Sequence, residues 1–380
     1  MSVVDRLSRI DWDFPSTGTD VHSVHSVHWF PGNFIHQIPS ALVEVLSKPG
    51  ELVFDPFGGS GTTAVEASRL QRRSILSDRI SACVLIARGK AAIQGGALKR
   101  NVRDRIAASL TWRYRCFSDA FGARGEGSDP QLKDWFAPGT LGQLRYIWQL
   151  IEAERSNVRS ALTLLFSDLL FACASPGKST TATGNRRRHH WGWVADNVRP
   201  TKLLEHDAIG LFEQRLFAIG DDISAPAENI LVLQQDARSL AIRSDSIDLV
   251  VTSPPYVSVI DYAKANRLVY TWMGWDLSAD IRAELGARSK RQRAKAVDEY
   301  LHDMRLCWQE LHRVLRKGAF CAIVIGESRR HPAAAERTID DLAKTLKRVW
   351  GPVRRNPTRR RVSDRLARES FEFLHIFQKS

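Results

Sequence analysis

A glycine-rich loop between a short apolar strand and a helix constrains the fold of this chain more than any other feature. The apolar run 52–54 (LVF) predicts a strand, and residues 55–63 (DPFGGSGTT) follow it directly. Residues 64–67 predict a helix, and a second predicted strand over 73–77 ends at Asp78. Strand, glycine-rich turn, helix, strand and acid in this order are typical of the start of a nucleotide-binding α/β unit.

The residue types in this unit favour a nucleotide-like ligand over a simple turn. Glycines allow close approach of a ligand to the backbone, and the loop amides face the start of a helix. Asp78 follows Gly58 by about 20 residues, the spacing at which a carboxylate reaches a ribose diol. Asp236 follows a third predicted strand at 229–233 and is placed to accept a hydrogen bond from an adenine amino group. A capping or surface aspartate fits the spacing of Asp236 nearly as well.

A second motif, residues 252–256 (TSPPY), follows the apolar run 247–251 (IDLVV). Two successive prolines fix φ and remove two donors, so the local carbonyls have a set direction. The Ser253 hydroxyl, a bare carbonyl and the Tyr256 ring would then lie at one sheet edge. This arrangement suits binding an exocyclic amino group beneath a stacked base, although a strand followed by a proline-rich turn explains the pentapeptide alone.

Strands and helices alternate along the rest of the chain, which predicts an α/β fold. Further strands are expected at 319–326 and 371–377, and further helices at 297–316 and 335–349. A long interruption after the second strand has helical patterns of its own, so it is not an unstructured loop. We therefore expect a flexible arm over 1–27, a catalytic domain over 28–104 and 226–380, and a helical insertion over 105–225.

Several weaker signals are not interpreted as sites. His22, His25 and His28 form a repeat that is more typical of a mobile arm than of a metal site. Residues 177–181 (GKSTT) resemble a phosphate loop, but the first glycine is missing and a helix precedes them. The five cysteines show no CxxC pairing, so structural zinc and disulfides are not expected and a reducing cytoplasm fits. A membrane-spanning run and a signal peptide are also not found.

The charge balance points to a polyanionic partner. Lys and Arg together number 55 and Asp and Glu 42, which gives a formal net charge of +13. An excess of this size is expected of a protein that binds nucleic acid, although some basic proteins have no such partner.

Taken as a pair, residues 55–63 and 252–256 resemble the motifs of the DNA amino-methyltransferases. Residues 28–34 (HWFPGNF) are similar to the segment that lines the methionine end of the cofactor in this family. The resemblance covers 28–92 and 229–326 well and 354–380 loosely. It implies a Rossmann-like class I methyltransferase fold with a mostly parallel seven-stranded sheet, and S-adenosylmethionine as the cofactor.

The resemblance also implies roles for individual residues. Asp55 would hold the methionine ammonium, Asp78 the ribose hydroxyls and Asp236 the adenine. Ser253 and the Pro254 carbonyl would accept hydrogen bonds from the target amino group, and Tyr256 would stack on a base flipped out of the duplex. The implied cofactor-binding residues are Phe30, Pro31, Asp55, Pro56, Phe57, Gly58, Gly59, Gly61, Thr62, Asp78, Asp236 and Ala237, and the implied catalytic residues are Ser253, Pro254, Pro255 and Tyr256.

Serine at position 253 favours cytosine N4 over adenine N6 as the target, since Asp or Asn is commoner in adenine enzymes of this family. In this chain the cofactor loop precedes the catalytic motif, the reverse of many Ser-Pro-Pro-Tyr relatives, so the recognition region cannot be located by analogy. An RNA or protein amino-methyltransferase and a catalytically silent nucleic-acid-binding protein are the alternatives. A separate restriction endonuclease would be a possible partner, and the sequence does not indicate an oligomeric state.

Three basic stretches compete for the contact with double-stranded DNA. The first two supply the predicted DNA-binding residues Arg186, Arg187, Arg188, Trp191, Arg288, Lys290 and Arg291. The third contains Arg354, Arg355, Arg359, Arg360 and Arg361. We expect recognition in the 105–225 insertion together with the 257–296 segment, where Asp261 and Tyr262 are candidates for lining a base pocket.

Overall fold

The structure is a computed structural model. It describes residues 1–15, 24–32, 35–121, 130–174, 194–200, 202–220, 229–326, 328, 330–356 and 371–380.

Seven strands within the described residues form one sheet in the order β3-β2-β1-β4-β5-β7-β6. Strands β1 to β5 pair in parallel, whereas β7 runs antiparallel to both β5 and β6. The predicted α/β fold with a mostly parallel seven-stranded sheet is therefore confirmed. The strands are β1 Leu52–Asp55, β2 Arg73–Asp78, β3 Ile230–Gln234, β4 Ile247–Thr252, β5 Leu315–Gly326, β6 Lys347–Arg355 and β7 Glu372–Gln378.

Helices connect the parallel strands and fill the interruption between β2 and β3. They are α1 Val3–Ser8, α2 Gln37–Leu46, α3 Thr62–Arg69, α4 Ser81–Gln94, α5 Arg100–Phe121, α6 Pro138–Glu152, α7 Ser156–Cys173, α8 Ala208–Phe217, α9 Tyr262–Ala265, α10 Arg267–Met273, α11 Leu277–Ala283, α12 Ala296–Val314 and α13 Ala333–Ala343.

The strand order reverses between β1 and β4, which lie side by side in the sheet. In open parallel sheets the ligand crevice lies beyond the carboxyl ends of the strands at such a switch point. Both sequence motifs begin there, because β1 ends at Asp55 and β4 ends at Thr252. The fold thus brings the glycine-rich loop and the proline-rich motif to one crevice, although about 200 residues separate them along the chain.

The flexible arm predicted over 1–27 is wrong for its first part. Leu7 is fully buried and Trp12 is 4% exposed, and both belong to a core cluster that contains residues of β1, β4, β5 and β7. The Trp12 indole donates to the Leu7 carbonyl at 3.1 Å. Apolar side chains at two positions were enough to dock this short segment against the sheet, whereas its polar composition suggested an arm.

The helices of the interruption pack onto the sheet domain. Residues of α5, α6, α7 and α8 share one hydrophobic cluster with α4. Helices α4 and α7 cross closely at Gly89, where an added Cβ would lie 2.3 Å from the Leu164 Cβ. The helical content predicted for this region is confirmed, while its boundary at 105 and its role in recognition stay predictions.

Strand β6 was missed by sequence reasoning. Residues 347–349 were assigned to a helix over 335–349, but α13 ends at Ala343 and β6 begins at Lys347. Gly351 and Pro352 inside the strand read as a break in any regular element. The ladder tolerates them because β6 is the edge strand and its register with β7 shifts at this point.

Candidate active site

A cleft opens at the switch point between β1 and β4. It encloses about 810 Å³, open solvent at its mouth included. The lining residues are Phe30, Gly32, Pro56, Phe57, Gly58, Gly59, Ser60, Thr62, Asp78, Arg79, Ile80, Cys83, Asp236, Ala237, Ser253, Pro255, Tyr262, Ala283, Glu284 and Leu285. Most of the predicted cofactor-binding residues and two of the predicted catalytic residues therefore meet in one cavity.

Backbone hydrogen bonds to strand β2 hold the glycine-rich loop. The Gly58 amide donates to the Ser77 carbonyl at 2.9 Å, and the Gly59 amide donates to Asp78 Oδ2 at 3.0 Å. Gly59 and Gly61 have φ values of +49° and +85°, a region that glycine adopts at little cost. Gly61 precedes α3 rather than lining the cleft, so it shapes the turn from loop to helix.

Asp78 is a lining carboxylate with two backbone donors. Besides Gly59, the Ile80 amide donates to Asp78 Oδ1 at 2.9 Å. Burial raises the pKa of Asp78 to about 6, and these amide hydrogen bonds act in the opposite direction. Each carboxylate oxygen retains capacity to accept a second hydrogen bond, as binding a ribose diol would require.

An aromatic wall covers the loop. The Phe30 and Tyr262 rings stack with their centroids 5.6 Å apart, and Phe30 lies against Gly59, where an added Cβ would be 3.3 Å from its ring. The predicted residue Pro31 lies next to two lining residues, Phe30 and Gly32, and is not itself in the lining. Tyr262, a candidate for the base pocket, instead joins the wall that faces the cofactor loop.

Glu284 is a lining acid that sequence reasoning missed. Its carboxylate accepts hydrogen bonds from the Tyr262 amide at 2.6 Å and the Ala263 amide at 3.2 Å. Burial raises the pKa of Glu284 to about 8, and the two amides oppose that rise. No spacing signal marked it, because it lies in the polar 257–296 segment far from either motif.

Asp236 lines the cleft near Ala237, and both are where the sequence placed them. Its carboxylate forms a two-point ion pair with Arg238, with Nε–Oδ1 at 3.0 Å and Nη2–Oδ2 at 2.7 Å. Partial burial would raise the pKa of Asp236, but the hydrogen bonds and charge of Arg238 hold it below its usual range. Asp236 is therefore an ionised acceptor with a fixed orientation.

Asp55 has hydrogen-bond partners within the protein, whereas the resemblance assigned it to the methionine ammonium of the cofactor. It is not in the cleft lining, and its Oδ1 accepts hydrogen bonds from Thr252 Oγ1 at 2.6 Å and from the Phe57 amide at 3.1 Å. Burial raises the pKa of Asp55 to about 6, against the effect of these donors. The side chain joins the ends of β1 and β4 and thereby connects the two motifs.

The proline-rich motif contributes Ser253 and Pro255 to the lining, whereas Pro254 and Tyr256 are not among the lining residues. Tyr300 Oη donates to the Pro255 carbonyl at 3.0 Å. The Tyr256 ring packs against Gly326 at the end of β5, where an added Cβ would lie 2.4 Å from it. Ser253 Oγ is 3.3 Å from Tyr256 Oη. Ser253 therefore lines the cleft and also has a hydrogen-bond partner within the motif.

Part of the chain matches a family of DNA methylases. Residues 7–88 match a family model (N6_N4_Mtase) described as DNA methylase. A curated protein, the type II methyltransferase M.MjaII of Methanocaldococcus jannaschii, is 20% identical to this chain in an alignment that covers 84% of this chain and 76% of that protein. In these matches the chain is similar to DNA amino-methyltransferases. These matches do not distinguish cytosine N4 from adenine N6.

Among solved structures, TrmN from Thermus thermophilus aligns with a TM-score of 0.36 and 13% identity over 92% of this chain, which spans 50% of that protein's length. The rRNA methyltransferase aviRa from Streptomyces viridochromogenes aligns with a TM-score of 0.33 and 13% identity, covering 98% of this chain and 94% of that one.

The predicted DNA-binding residues differ in their surroundings. Arg186, Arg187, Arg188 and Trp191 lie outside the described residues. Arg288 forms an ion pair with Asp196, both of whose oxygens are 3.1 Å from Nη2. Arg291 is half-buried in the same short turn.

Lys290 and Arg355 also have partners within the protein. Lys290 Nζ donates to the Arg282 carbonyl at 3.0 Å and the Glu284 carbonyl at 2.6 Å, and burial lowers its pKa. Arg355, from the third basic stretch, is 2% exposed and forms an ion pair with Glu372. Arg359, Arg360 and Arg361 lie outside the described residues. The DNA-binding roles of Arg288, Lys290 and Arg291 stay predictions.

The described residues contain neither a candidate metal site nor a helix that could span a membrane. No group of three or more His, Cys, Asp or Glu side chains there could hold a metal ion. In that same part of the chain, no helix is long and apolar enough to cross a membrane.

Proposed function

We propose that this chain is a DNA methyltransferase that transfers a methyl group from S-adenosylmethionine to the exocyclic N4 of a cytosine flipped out of double-stranded DNA. The observation that carries the proposal is the placement of Ser253 and Pro255 in the same cleft as the glycine-rich loop and Asp78. A family relationship to DNA methylases supports the choice of substrate.

The cleft suits S-adenosylmethionine, which supplies a methyl group activated by a positive sulfonium. Asp78 and Glu284 offer two carboxylates, and Phe30 and Tyr262 offer aromatic faces that favour a nearby cation. Asp236 offers an oriented acceptor beside the small apolar residue Ala237. Phe57, Gly58, Gly59 and Thr62 would surround the rest of the cofactor.

Positioning accounts for most of the expected catalysis. Ser253 Oγ and the Pro254 carbonyl would accept the protons of the target amino group, which localises the nitrogen lone pair and directs it at the methyl group. A direct in-line displacement needs no enzyme nucleophile, and its rate comes chiefly from orientation. Consistent with this, burial raises the pKa of Cys83, the lining cysteine, well above its usual value, so its thiol is not a nucleophile.

Base flipping follows from the geometry of the substrate. A paired cytosine hides its amino group, so the base must leave the duplex to reach Ser253. Tyr256 would replace part of the lost stacking. A cognate restriction endonuclease is a possible partner protein within this proposal.

Adenine N6 is the nearest alternative target, because the same two acceptors would serve either amino group. Ser253 favours cytosine. A silent nucleic-acid-binding protein is a different class, and the cleft speaks against it, because a decayed site would not keep Asp78, Ser253 and the loop glycines in one cavity.

The test is transfer of tritiated methyl groups from S-adenosylmethionine to DNA, combined with modification-sensitive sequencing of DNA from a host that expresses the protein. We expect 4-methylcytosine at a defined motif. Ser253→Ala is expected to lower the single-turnover rate by about 10²–10³-fold, as loss of one positioned hydrogen-bonding group does elsewhere, with DNA affinity unchanged.

Ser246→Ala is the matched control, because Ser246 lies just before β4, at the end of the strand opposite the motif, and its hydroxyl donates to the nearby Arg243 carbonyl at 2.6 Å. Methylation at adenine would replace the cytosine assignment. Absence of cofactor binding at about millimolar concentration would refute the enzyme proposal, and full activity of the Ser253→Ala protein would refute the site.

A further inference from the structure

A chain of hydrogen-bonded side chains leads from the proline-rich motif to strands β7 and β6. Ser253 Oγ is 3.3 Å from Tyr256 Oη, and Tyr256 Oη is 3.4 Å from Glu372 Oε1, at the start of β7. Glu372 Oε2 in turn pairs with Arg355 at the end of β6. Both oxygen–oxygen separations are longer than is usual for hydroxyl hydrogen bonds, and long hydrogen bonds are common in catalytic networks before substrate binds.

The ion pair between Arg355 and Glu372 determines the direction of each hydrogen bond in this series of side chains. The Arg355 guanidinium is 2% exposed and can only donate, so it requires the carboxylate form of Glu372 as its partner. A carboxylate can only accept, so Tyr256 Oη must donate its proton to Glu372. The lone pairs of Tyr256 Oη then accept from the Ser253 hydroxyl.

Other groups around the phenol are consistent with this direction. Burial and the neighbouring Glu372 charge raise the pKa of Tyr256 well above its usual value, so the phenol keeps its proton. Arg355 is held independently of Glu372, because its Nε donates to the Trp12 carbonyl at 3.1 Å. The guanidinium is therefore a fixed charge at the end of the chain.

We propose that Glu372 is a positioning residue for methyl transfer: through Tyr256 it turns the Ser253 proton away from the cleft, so that Ser253 Oγ presents its lone pairs to the target amino group. The proposal rests on the function proposed above. It gives Tyr256 a role for its hydroxyl that is separate from stacking by its ring.

Glu372→Gln is the most informative variant because glutamine keeps the size of glutamate and reverses the chain. Arg355 can only donate, so it takes the amide oxygen and leaves the amide NH₂ facing Tyr256. Tyr256 must then accept from this group and donate to Ser253, which turns the Ser253 proton toward the cleft. We expect a loss of about tenfold or more in single-turnover transfer, equivalent to at least one hydrogen bond, with unchanged affinity for S-adenosylmethionine.

Tyr256→Phe separates the ring from the hydroxyl and is expected to lose about tenfold, since Ser253 is left free to rotate. Combined with Glu372→Gln, it removes the wrongly directed donor, so the double variant should be no slower than Glu372→Gln alone. Two losses that multiply would overturn the proposal, as would a Tyr256→Phe protein with wild-type rate.

Tyr300→Phe is the matched control. Tyr300 also bonds the motif, through the Pro255 carbonyl, but is not part of the Ser253 chain. Its effect is expected to multiply with that of Glu372→Gln. Equal non-additivity in the control pair would point to general loosening of the motif and would overturn the specific assignment.

Urea unfolding of the same variants decides the hydrogen-bond chain without reference to activity. The Tyr256→Phe and Glu372→Gln effects on the free energy of unfolding should be non-additive if the two side chains are bonded, and additive effects would overturn the chain. If the wild-type protein transfers no methyl group to DNA, the proposed function fails and the catalytic role of Glu372 fails with it. The unfolding cycle then still shows whether Glu372 orders Tyr256.

Discussion

The two halves of the cleft are held in place by different kinds of interaction. On the cofactor half, backbone amides of the glycine-rich loop bond to the adjacent strand β2, as in Gly58 to Ser77 and Gly59 to Asp78. On the catalytic half, the motif depends on side chains from remote elements, as in Tyr300 to Pro255 and Tyr256 to Glu372. The first half is a local unit, whereas the second exists only once the whole sheet has formed.

One hydrogen bond joins the halves directly. Thr252 Oγ1, at the end of β4, donates to Asp55 Oδ1, at the end of β1, over 2.6 Å, and both residues are buried. Because the two halves have separate supports, substitutions should change cofactor affinity and methyl-transfer rate separately. A substitution at the Thr252–Asp55 bond should change both. Three predictions test this comparison.

Breaking the cofactor half alone should weaken binding far more than it slows transfer. Asp78→Ala removes the acceptor of the Gly59 and Ile80 amides as well as the proposed ribose ligand. We expect S-adenosylmethionine affinity, measured by titration calorimetry, to fall by about 2–4 kcal/mol, or roughly 30- to 1,000-fold. Transfer at saturating cofactor should change much less.

Asp78→Asn tests whether loop support or ligand contact dominates. The amide keeps one acceptor oxygen and can satisfy only one of the two backbone donors, so an intermediate affinity is expected. Wild-type affinity in the Asp78→Ala protein would contradict the assignment of this carboxylate to the cofactor.

Breaking the joint should affect both halves together. Thr252→Val removes the hydroxyl that donates to Asp55 and leaves a buried carboxyl with one donor fewer, at a cost of about 1–3 kcal/mol in the free energy of unfolding. Urea unfolding measures this loss. Cofactor affinity and single-turnover rate should both decline.

Thr252→Ser is the control, because it retains the hydroxyl and deletes only a methyl group. Its unfolding free energy should lie closer to that of the wild-type protein. A Thr252→Val protein in which only one of the two functional measurements changes would show that the halves are not joined here.

The last effect concerns the pH dependence of cofactor binding. Burial raises the pKa of Asp78 to about 6 and that of Glu284 to about 8. A bound cation favours the ionised carboxylates, so binding releases protons and affinity should rise with pH from about 5 to 8. The limit is tenfold per pH unit for each proton released.

The stability of the free protein should show the opposite trend. For both acids the folded pKa lies above the unfolded one, so their contribution to stability is full below about pH 4 and is lost as pH rises through 6 and then 8. Calorimetric titrations with S-adenosylmethionine and with S-adenosylhomocysteine, which lacks the sulfonium charge, would check the binding trend. An equal slope for both ligands would contradict it.

The difference between the halves also explains what the sequence could predict. The loop, Asp78 and the strand pattern were predictable because their contacts lie within about 25 residues and glycine and acid spacing report them. Glu284 and Glu372 were not, because nothing in a local pattern links them to Ser253 or the loop. Strand β6 was hidden by Gly351 and Pro352, and the burial of Arg355 was not predictable because burial cannot be read from a run of arginines.

Strand β7 lies between β5 and β6 although it follows both along the chain. During synthesis on the ribosome, β6 therefore has no sheet partner until residues 372–378 emerge, and Glu372 arrives with the strand that completes the sheet. The glycine-rich loop after β1 and strand β2, which supports it, are synthesised roughly 290 residues earlier. A growing chain is thus expected to acquire its cofactor-binding half well before it can modify a base.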